Sequence, residues 1–361
     1  MAINRYPSQL QAIYSELLGR TQQADLEGLV QKEASLAAKE VSGRRYWYAR
    51  RRIGQRVDER YIGPESPELL QRIDTMRAEA EDAKAAARGR RDLIRLLRAG
   101  GYPVPDARTG RTLQALAAAG VFRLRGVLVG THAFRCYGAA LGVRLPEQAA
   151  FTTDVDIAQF ETVSIAVEDR IEPGFAEALQ QAERFLPVPS LHDRTGPTAW
   201  RTPDLALSVE LLTPRVGPDH DGPVKLPALA AHATPLRFLD YLIHRTEPAT
   251  VPFGAGILVS LPQPERYACH KLIVAQRRSI TGRTKAAKDL AQAAALLTVL
   301  LEDRPDDVAD AWAELLARGP AWRRAALASH ARLPAEVRER LDPEAPAEAD
   351  RRRDTSEDER A

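Results

Sequence analysis

The chain has 361 residues, 44% of them hydrophobic, with 51 lysines and arginines against 49 aspartates and glutamates. That is room for two or three domains with ordinary cores, and it excludes a globally basic nucleic-acid binder, so any such role must come from a local patch. Cys136 and Cys269 stand far apart and outside any CxxC, which excludes a disulfide framework or cysteine zinc site; with no recognisable signal peptide and no apolar run near the ~20 residues of a membrane span, a cytoplasmic protein is expected.

In chain order, apolar periodicity predicts a helix over Leu10–Lys39 and another over Pro67–Ala99. The aromatic and β-branched stretch Arg44–Pro64 between them predicts a hairpin turning at Gly54-Gln55. Its segment Arg44–Arg60 carries seven arginines against Asp58 and Glu59, interleaved with Tyr46, Trp47 and Tyr48. That mixture suits phosphate contact and base stacking, so an RNA or tRNA acceptor is one expectation. Aromatics packed on the helices, with solvated arginines, is an equally good reading. The break at Gly100–Pro105 sets the first domain at 1–105.

A short helix over Thr112–Ala119 stops at Gly120, and a buried strand Gly126–Val129 turns at Gly130-Thr131 into a helix carrying Phe134, Tyr137 and Leu141. The strand Asp154-Val155-Asp156-Ile157, a helix over Phe175–Phe185 and a strand over Leu205–Leu212 complete an α/β core at 106–235. In that last strand Leu205, Leu207, Val209 and Leu211 form one face, and Glu210 emerges from the other among small residues. Beyond Pro235 helices are expected over Leu236–Ile243, Arg266–Arg277, Lys285–Leu301 and Val308–Leu316, a C-terminal helical domain at 236–341. The alanine, proline and charge of 342–361 predict a disordered tail.

Alternation points Asp154 and Asp156 from one face while Val155 and Ile157 pack inward. Two carboxylates at that spacing suit Mg²⁺, which fills its remaining positions with phosphate oxygens and water. Gly130-Thr131 at a strand-to-helix turn suits phosphate, through close backbone approach, a hydroxyl and unpaired helical N–H groups. Glu210 is preferred as third acid over Glu168 and Asp169, which lie in loop-like sequence. His192-Asp193, His220-Asp221 and His270 fit structural or solvated roles better than ligation. Walker, GxGxxG, HExxH and GxSxG motifs are absent.

Gly130-Thr131 followed by a helix, then Asp154-x-Asp156 and a later lone acid, resembles the DNA polymerase β-type nucleotidyltransferase superfamily. Val129-Gly130-Thr131-His132-Ala133-Phe134, Tyr137-Gly138, Leu141-Gly142-Val143-Arg144, Thr153-Asp154-Val155-Asp156 and Arg266-Tyr267-Ala268-Cys269-His270-Lys271-Leu272 resemble, more closely, a bacterial family of nucleotidyltransferase-fold proteins. The resemblance implies an α/β (α+β) core with a small mixed sheet, flanked by N-terminal helices with a β-hairpin and by a C-terminal helical lobe. It implies two Mg²⁺ ions and an NTP substrate, with Asp154 and Asp156 binding both metals and Glu210 the one that activates an acceptor hydroxyl on RNA, protein or a small molecule. Gly130, Thr131, Lys271 and Lys288 would contact the nucleotide, with Lys285 a weaker candidate and Arg278 on the same helical face as Lys271. Threonine after the glycine, a long insertion before the acid pair and glutamate as third acid depart from the superfamily pattern. A protein that keeps the fold for binding or regulation, with turnover weakened, is the alternative expectation.

Overall fold

The computed structural model describes residues 3–30, 35–41, 43–53, 56–146, 152–161, 170–189, 196–215, 217, 222–278 and 283–341. They fall into two compact units, one made of Ala12–Val104 with Thr250–Leu258, the other of Met1–Gln11, Pro105–Ala249 and Val259–Ala361.

The smaller unit is built on helix α1 (Ser8–Val30), strands β1 (Ser35–Val41), β2 (Arg44–Ile53) and β3 (Arg56–Pro64), and helix α2 (Pro67–Ala99). β2 is the central strand of an antiparallel sheet of order β1-β2-β3. The strands flank the expected turn, whose residues 54 and 55 lie outside the described ones. The first helix stops at Val30 instead of Lys39. Leu36-Ala37-Ala38-Lys39 is helix-favouring locally, but the segment forms a ladder with β2 from Ser35↔Arg50 to Val41↔Arg44, and backbone pairing available only in the folded chain overrides the local preference. Trp47 is buried, donating from Nε1 to Glu65 at 3.1 Å with the Arg77 guanidinium 5.4 Å from its ring. α2 opens on Ser66, whose Oγ accepts from the Leu69 N–H at 3.2 Å, with Pro67 supplying the fixed φ of a first turn. The segment 250–258 is tied into this unit: the Tyr14 hydroxyl donates to the Thr250 carbonyl at 3.2 Å, and Arg90 Nε to the Ala255 carbonyl at 2.8 Å.

The larger unit begins with α3 (Ala107–Ala119), capped by Asp106, whose Oδ1 accepts from the Arg108 and Thr109 N–H groups at 3.0 Å each, and closed by Gly120 in the left-handed region. β4 (Val127–Val129), α4 (Gly130–Ala140), β5 (Asp154–Ala158), α5 (Phe175–Ala182), β6 (Leu186–Pro187), β7 (Ala199–Arg201), β8 (Ser208–Pro214), β9 (Val224–Leu226) and β10 (Ala231–Leu236) follow. Their sheet is mixed, of order β4-β5-β8-β10-β9 with β6 and β7 branching off β8. β8 is its axis, parallel to β5 along one side and, along the other, antiparallel to β7 and then parallel to β10. This strand begins at Ser208, three residues later than its apolar pattern suggests. Leu205 has φ +59° and is 67% exposed, because Thr202 closes a turn by donating its hydroxyl to, and accepting the N–H of, Leu207.

Beyond Pro235 the chain is less helical than its periodicity implies. α6 is only Leu239–Ile243, and Thr246–Pro262 forms a β-hairpin of β11 (Thr246–Val251) and β12 (Ile257–Pro262). Pro248, Pro252 and Pro262 interrupt the alternation that would have announced these strands. Helices α7 (Pro264–Arg277), α8 (Arg283–Asp303), α9 (Pro305–Ala317), α10 (Pro320–His330) and α11 (Ala335–Arg338) complete the unit. Their buried Tyr267, Leu272, Leu296, Leu300 and Trp312 form a core, each such side chain worth about 1.5–3 kcal/mol of burial. The expected disordered tail 342–361 lies outside the described residues. The architecture is an α+β core with a small mixed sheet, flanked by N-terminal helices with a three-stranded sheet and by a C-terminal helical region.

Candidate active site

Strand register assembles the site. Val129 on β4 pairs with Asp156 on β5, and Asp156 stands beside Glu210 on β8, while Asp154 stands beside Ser208. Registered neighbours share a face of the sheet, so the two aspartates and Glu210 emerge together. Val155, Ile157, Val209 and Leu211 are completely buried beneath them; Asp154 is exposed, and Asp156 and Glu210 are partly buried. Ser208 Oγ donates to Asp154 Oδ1 at 2.6 Å. Directly after Val129 the chain swings into α4 through Gly130 at φ +65°, where a Cβ would collide with the Asp156 carboxylate. Only glycine combines that backbone with that approach. Thr131 follows, buried, in the first turn of α4.

Burial pushes the Asp156 carboxyl up to about 7, reinforced by the charges of Glu210 and Asp154 and opposed by Lys271 and Lys285. Glu210 is raised as well, chiefly by burial, against a hydrogen bond from Thr234. Burial and like charge thus disfavour the ionised form of both acids. Among the described residues, no three His, Cys, Asp or Glu side chains are gathered closely enough to hold a metal ion.

α7 and α8 supply the positive charge. Lys271 Nζ donates to Asp289 Oδ1 at 2.7 Å and lies 5.2 Å from the Tyr267 ring centroid, and Arg278 Nε donates to Asp289 Oδ2 at 3.0 Å. Lys271 and Arg278 were expected to project from one helical face toward a triphosphate. Instead they converge on buried Asp289, because α7 ends at Arg277 and Arg278 has extended backbone. Lys288 is held below the usual lysine range by burial and by Lys271, against the pull of Asp289 and Asp154. Lys285 is exposed and acts on both Asp156 and Glu210.

Several participants were not singled out by sequence. The Tyr267 hydroxyl lies 2.8 Å from the Gly130 carbonyl oxygen and 3.0 Å from Gln292 Oε1, so α7 and α8 together hold the glycine turn. The signal was legible: Lys285, Lys288, Asp289 and Gln292 follow i, i+3, i+4, i+7 spacing, one face of α8. His132 is buried, and its Nε2 has no hydrogen-bond partner among the described residues. Its pKa is pushed down to about 4 by burial and by Arg135, while Asp106 and Asp154 act in the opposite direction. Burial likewise pushes His270 down to about 3, and both thiols up to about 12, which leaves neither cysteine poised as a nucleophile. The rival acids Glu168 and Asp169, and the pairs His192-Asp193 and His220-Asp221, lie outside the described residues.

Residues 107–317 match a family described as nucleotidyltransferase. The chain belongs to that nucleotidyltransferase family. The matched span includes the glycine turn, both acid strands and the cationic face of α8. Residues 8–72, which include all three strands of the smaller sheet, match a separate domain family of unknown function. Neither a curated protein nor a solved structure matches the chain. Among the described residues no helix is long and apolar enough to cross a membrane.

Proposed function

We propose that this nucleotidyltransferase moves a nucleoside monophosphate from an NTP to an acceptor hydroxyl with Mg²⁺, using the acid arrangement of the DNA polymerase β-type enzymes. The observation that carries the reading is the register that sets Asp156 between the Gly130 turn and Glu210. The donor set suits Mg²⁺ chemically: all three are hard oxygen ligands, and a divalent cation would stabilise the ionised Asp156 carboxylate, which burial first and the charges of Glu210 and Asp154 second disfavour. Asp154, Asp156 and Glu210 would hold it, with triphosphate oxygens completing a set that the protein alone leaves open. When bound, the ions neutralise triphosphate charge and make the acceptor hydroxyl more acidic.

The chain's own residues then have distinct tasks. The Gly130 turn and the N-terminus of α4 offer backbone N–H groups to phosphate, and Thr131 a hydroxyl. Tyr267 and Gln292 fix the turn that presents them. Lys288 and Lys285 add cationic charge beside the acids, and Lys271 contributes through the Asp289 pair. Ser208 holds the Asp154 carboxylate in place.

The test is incubation of the pure protein with each α-labelled NTP, Mg²⁺ and total RNA or cell lysate. Label transferred to an acceptor, and lost with EDTA or Asp156→Asn, supports the reading. A second reading is a nucleotide-binding protein with little turnover, supported by glutamate standing as the third acid, where one more methylene displaces the carboxylate from tight Mg²⁺ geometry. Nucleotide binding with no labelled product under any condition would establish it in place of the first.

A further inference from the structure

The β1-β2-β3 sheet carries a feature that nucleotidyl transfer itself does not use. Trp47 points into the unit and is buried, while its neighbours Tyr46 and Tyr48 are only partly buried and Tyr61 on β3 is 53% exposed. Tyr48 pairs directly with Tyr61 across the strands, and Tyr46, two positions before Tyr48 on β2, shares its face. Ring centroids lie 5.5 Å apart for Tyr48 and Tyr61 and 6.3 Å for Tyr46 and Tyr61. Lys39 on β1 sits 4.9 Å from the Tyr48 ring centroid and donates to Glu59 Oε2 at 2.5 Å, a pair that a phosphate would have to open. Three water-facing aromatics in contact on a sheet cost solubility without adding to a core.

Charge says what covers them. Residues 35–64 carry Lys39 and seven arginines against Glu40, Asp58 and Glu59, in a chain whose net charge is only +2. Arg44 and Arg45 are exposed at the start of β2, Arg44 in step with Tyr46 and Tyr48, and Arg45 within 3.6 Å of Glu65, which also takes the Trp47 N–H. A polyanion with flat faces matches such a surface: bases stack on the rings while phosphates meet the cations. A duplex keeps its bases stacked on one another, so the match is to a single strand. All three aromatics are tyrosines, so each ring ends in a hydroxyl able to hydrogen-bond a ribose 2′-OH, which DNA lacks.

We propose that the face bearing Tyr46, Tyr48, Tyr61 and Lys39 is a stacking platform for single-stranded RNA. The inference deepens the nucleotidyltransferase reading by giving its acceptor a chemical class, but it is measured separately from transfer. Anisotropy of a labelled, unstructured RNA oligonucleotide titrated with the full chain, without NTP or Mg²⁺, reads it directly. Tyr48→Val combined with Tyr61→Val, which keeps β-favouring side chains, should weaken binding about tenfold or more. Arg44→Gln with Arg45→Gln should flatten the dependence of log K on log salt by about 0.7 per lost phosphate contact. Circular dichroism matching wild type establishes that each variant is folded, and the arginine pair supplies the answer if the tyrosine pair misfolds. Unchanged affinity and salt slope in folded variants would overturn the proposal, as would equal binding of duplex RNA or of DNA of the same sequence. Asp156→Asn should bind the RNA as wild type does, so missing label transfer with intact RNA binding counts against the enzyme reading alone.

Discussion

Gly130 and Asp156 approach so closely that a single methyl group on the glycine would occupy the space of the Asp156 carboxylate. Gly130→Ala therefore combines an unfavourable φ of +65° with a steric conflict. We expect a loss of about 1–3 kcal/mol of stability in urea titration, together with a loss of nucleotide transfer larger than the unfolded fraction explains. Wild-type stability and rate in this variant would separate the glycine turn from the acid site.

Asp156→Asn should abolish transfer and stabilise the protein at alkaline pH. The folded-state carboxyl is pushed up to about 7 by burial and by Glu210 and Asp154, above an unfolded value of about 3.9. Between those values the folded state binds more protons, so its stability falls as pH rises and the full cost is reached above pH 7. Allowing for the side chain's partial exposure, the amide variant should gain about 1–3 kcal/mol at pH 8 and almost nothing near pH 4. Thermal denaturation at both pH values, without added metal, checks this.

Glu210→Asp should retain measurable transfer, because the carboxylate stays within about one C–C bond of its position while Mg²⁺ geometry is degraded. Glu210→Ala should retain none. Initial rates across a Mg²⁺ titration compare them, and wild-type rates in both variants would place the third ligand elsewhere.

Lys271 and Lys285 should separate structure from binding. Lys271→Ala removes one of the two ion pairs described for Asp289, which is only 3% exposed, leaving that with Arg278, and should cost about 1–3 kcal/mol of stability. Lys285→Ala removes an exposed side chain and should leave stability within about 0.5 kcal/mol, while weakening NTP affinity because Lys285 acts on both Asp156 and Glu210. Urea titrations and calorimetry with Mg²⁺ and NTP read the two effects independently.

The buried imidazole of His132, held down at about 4 mainly by burial, makes the fold acid-sensitive. Its folded value lies below the unfolded one of about 6.5, so its stability contribution is complete above pH 6.5 and drains away as pH falls toward 4. Its share of the slope cannot exceed about 1.4 kcal/mol per pH unit. His132→Leu should remove that share between pH 6 and 4.5 in urea midpoints; an identical slope would mean the ring is already solvated and protonated.

The sequence was most legible where one element suffices to read it. Helix α2 spans Pro67–Ala99 as its apolar periodicity implies, and the alternation of β5 sets Val155 and Ile157 inside and Asp154 and Asp156 on the other face. What depends on a second segment was hidden. β1 is a strand because β2 lies beside it, and Lys271 meets Asp289 because α7 packs on α8. The placement of Glu210 beside Asp156 needs the parallel register of β5 and β8, a pairing of residues more than fifty positions apart that no local pattern encodes.

The dispersed make-up of the smaller unit bears on how the molecule can be cut. Thr250–Leu258 is counted with Ala12–Val104, and there Tyr14 and Arg90 hold its backbone carbonyls. A fragment trimmed to the matched residues 107–317 would therefore carry a hairpin tip without the Tyr14 and Arg90 donors of its Thr250 and Ala255 carbonyls. A boundary drawn between the two matched families therefore leaves Thr250–Leu258 on the wrong side of the cut, because the partners of its carbonyls lie near the start of the chain.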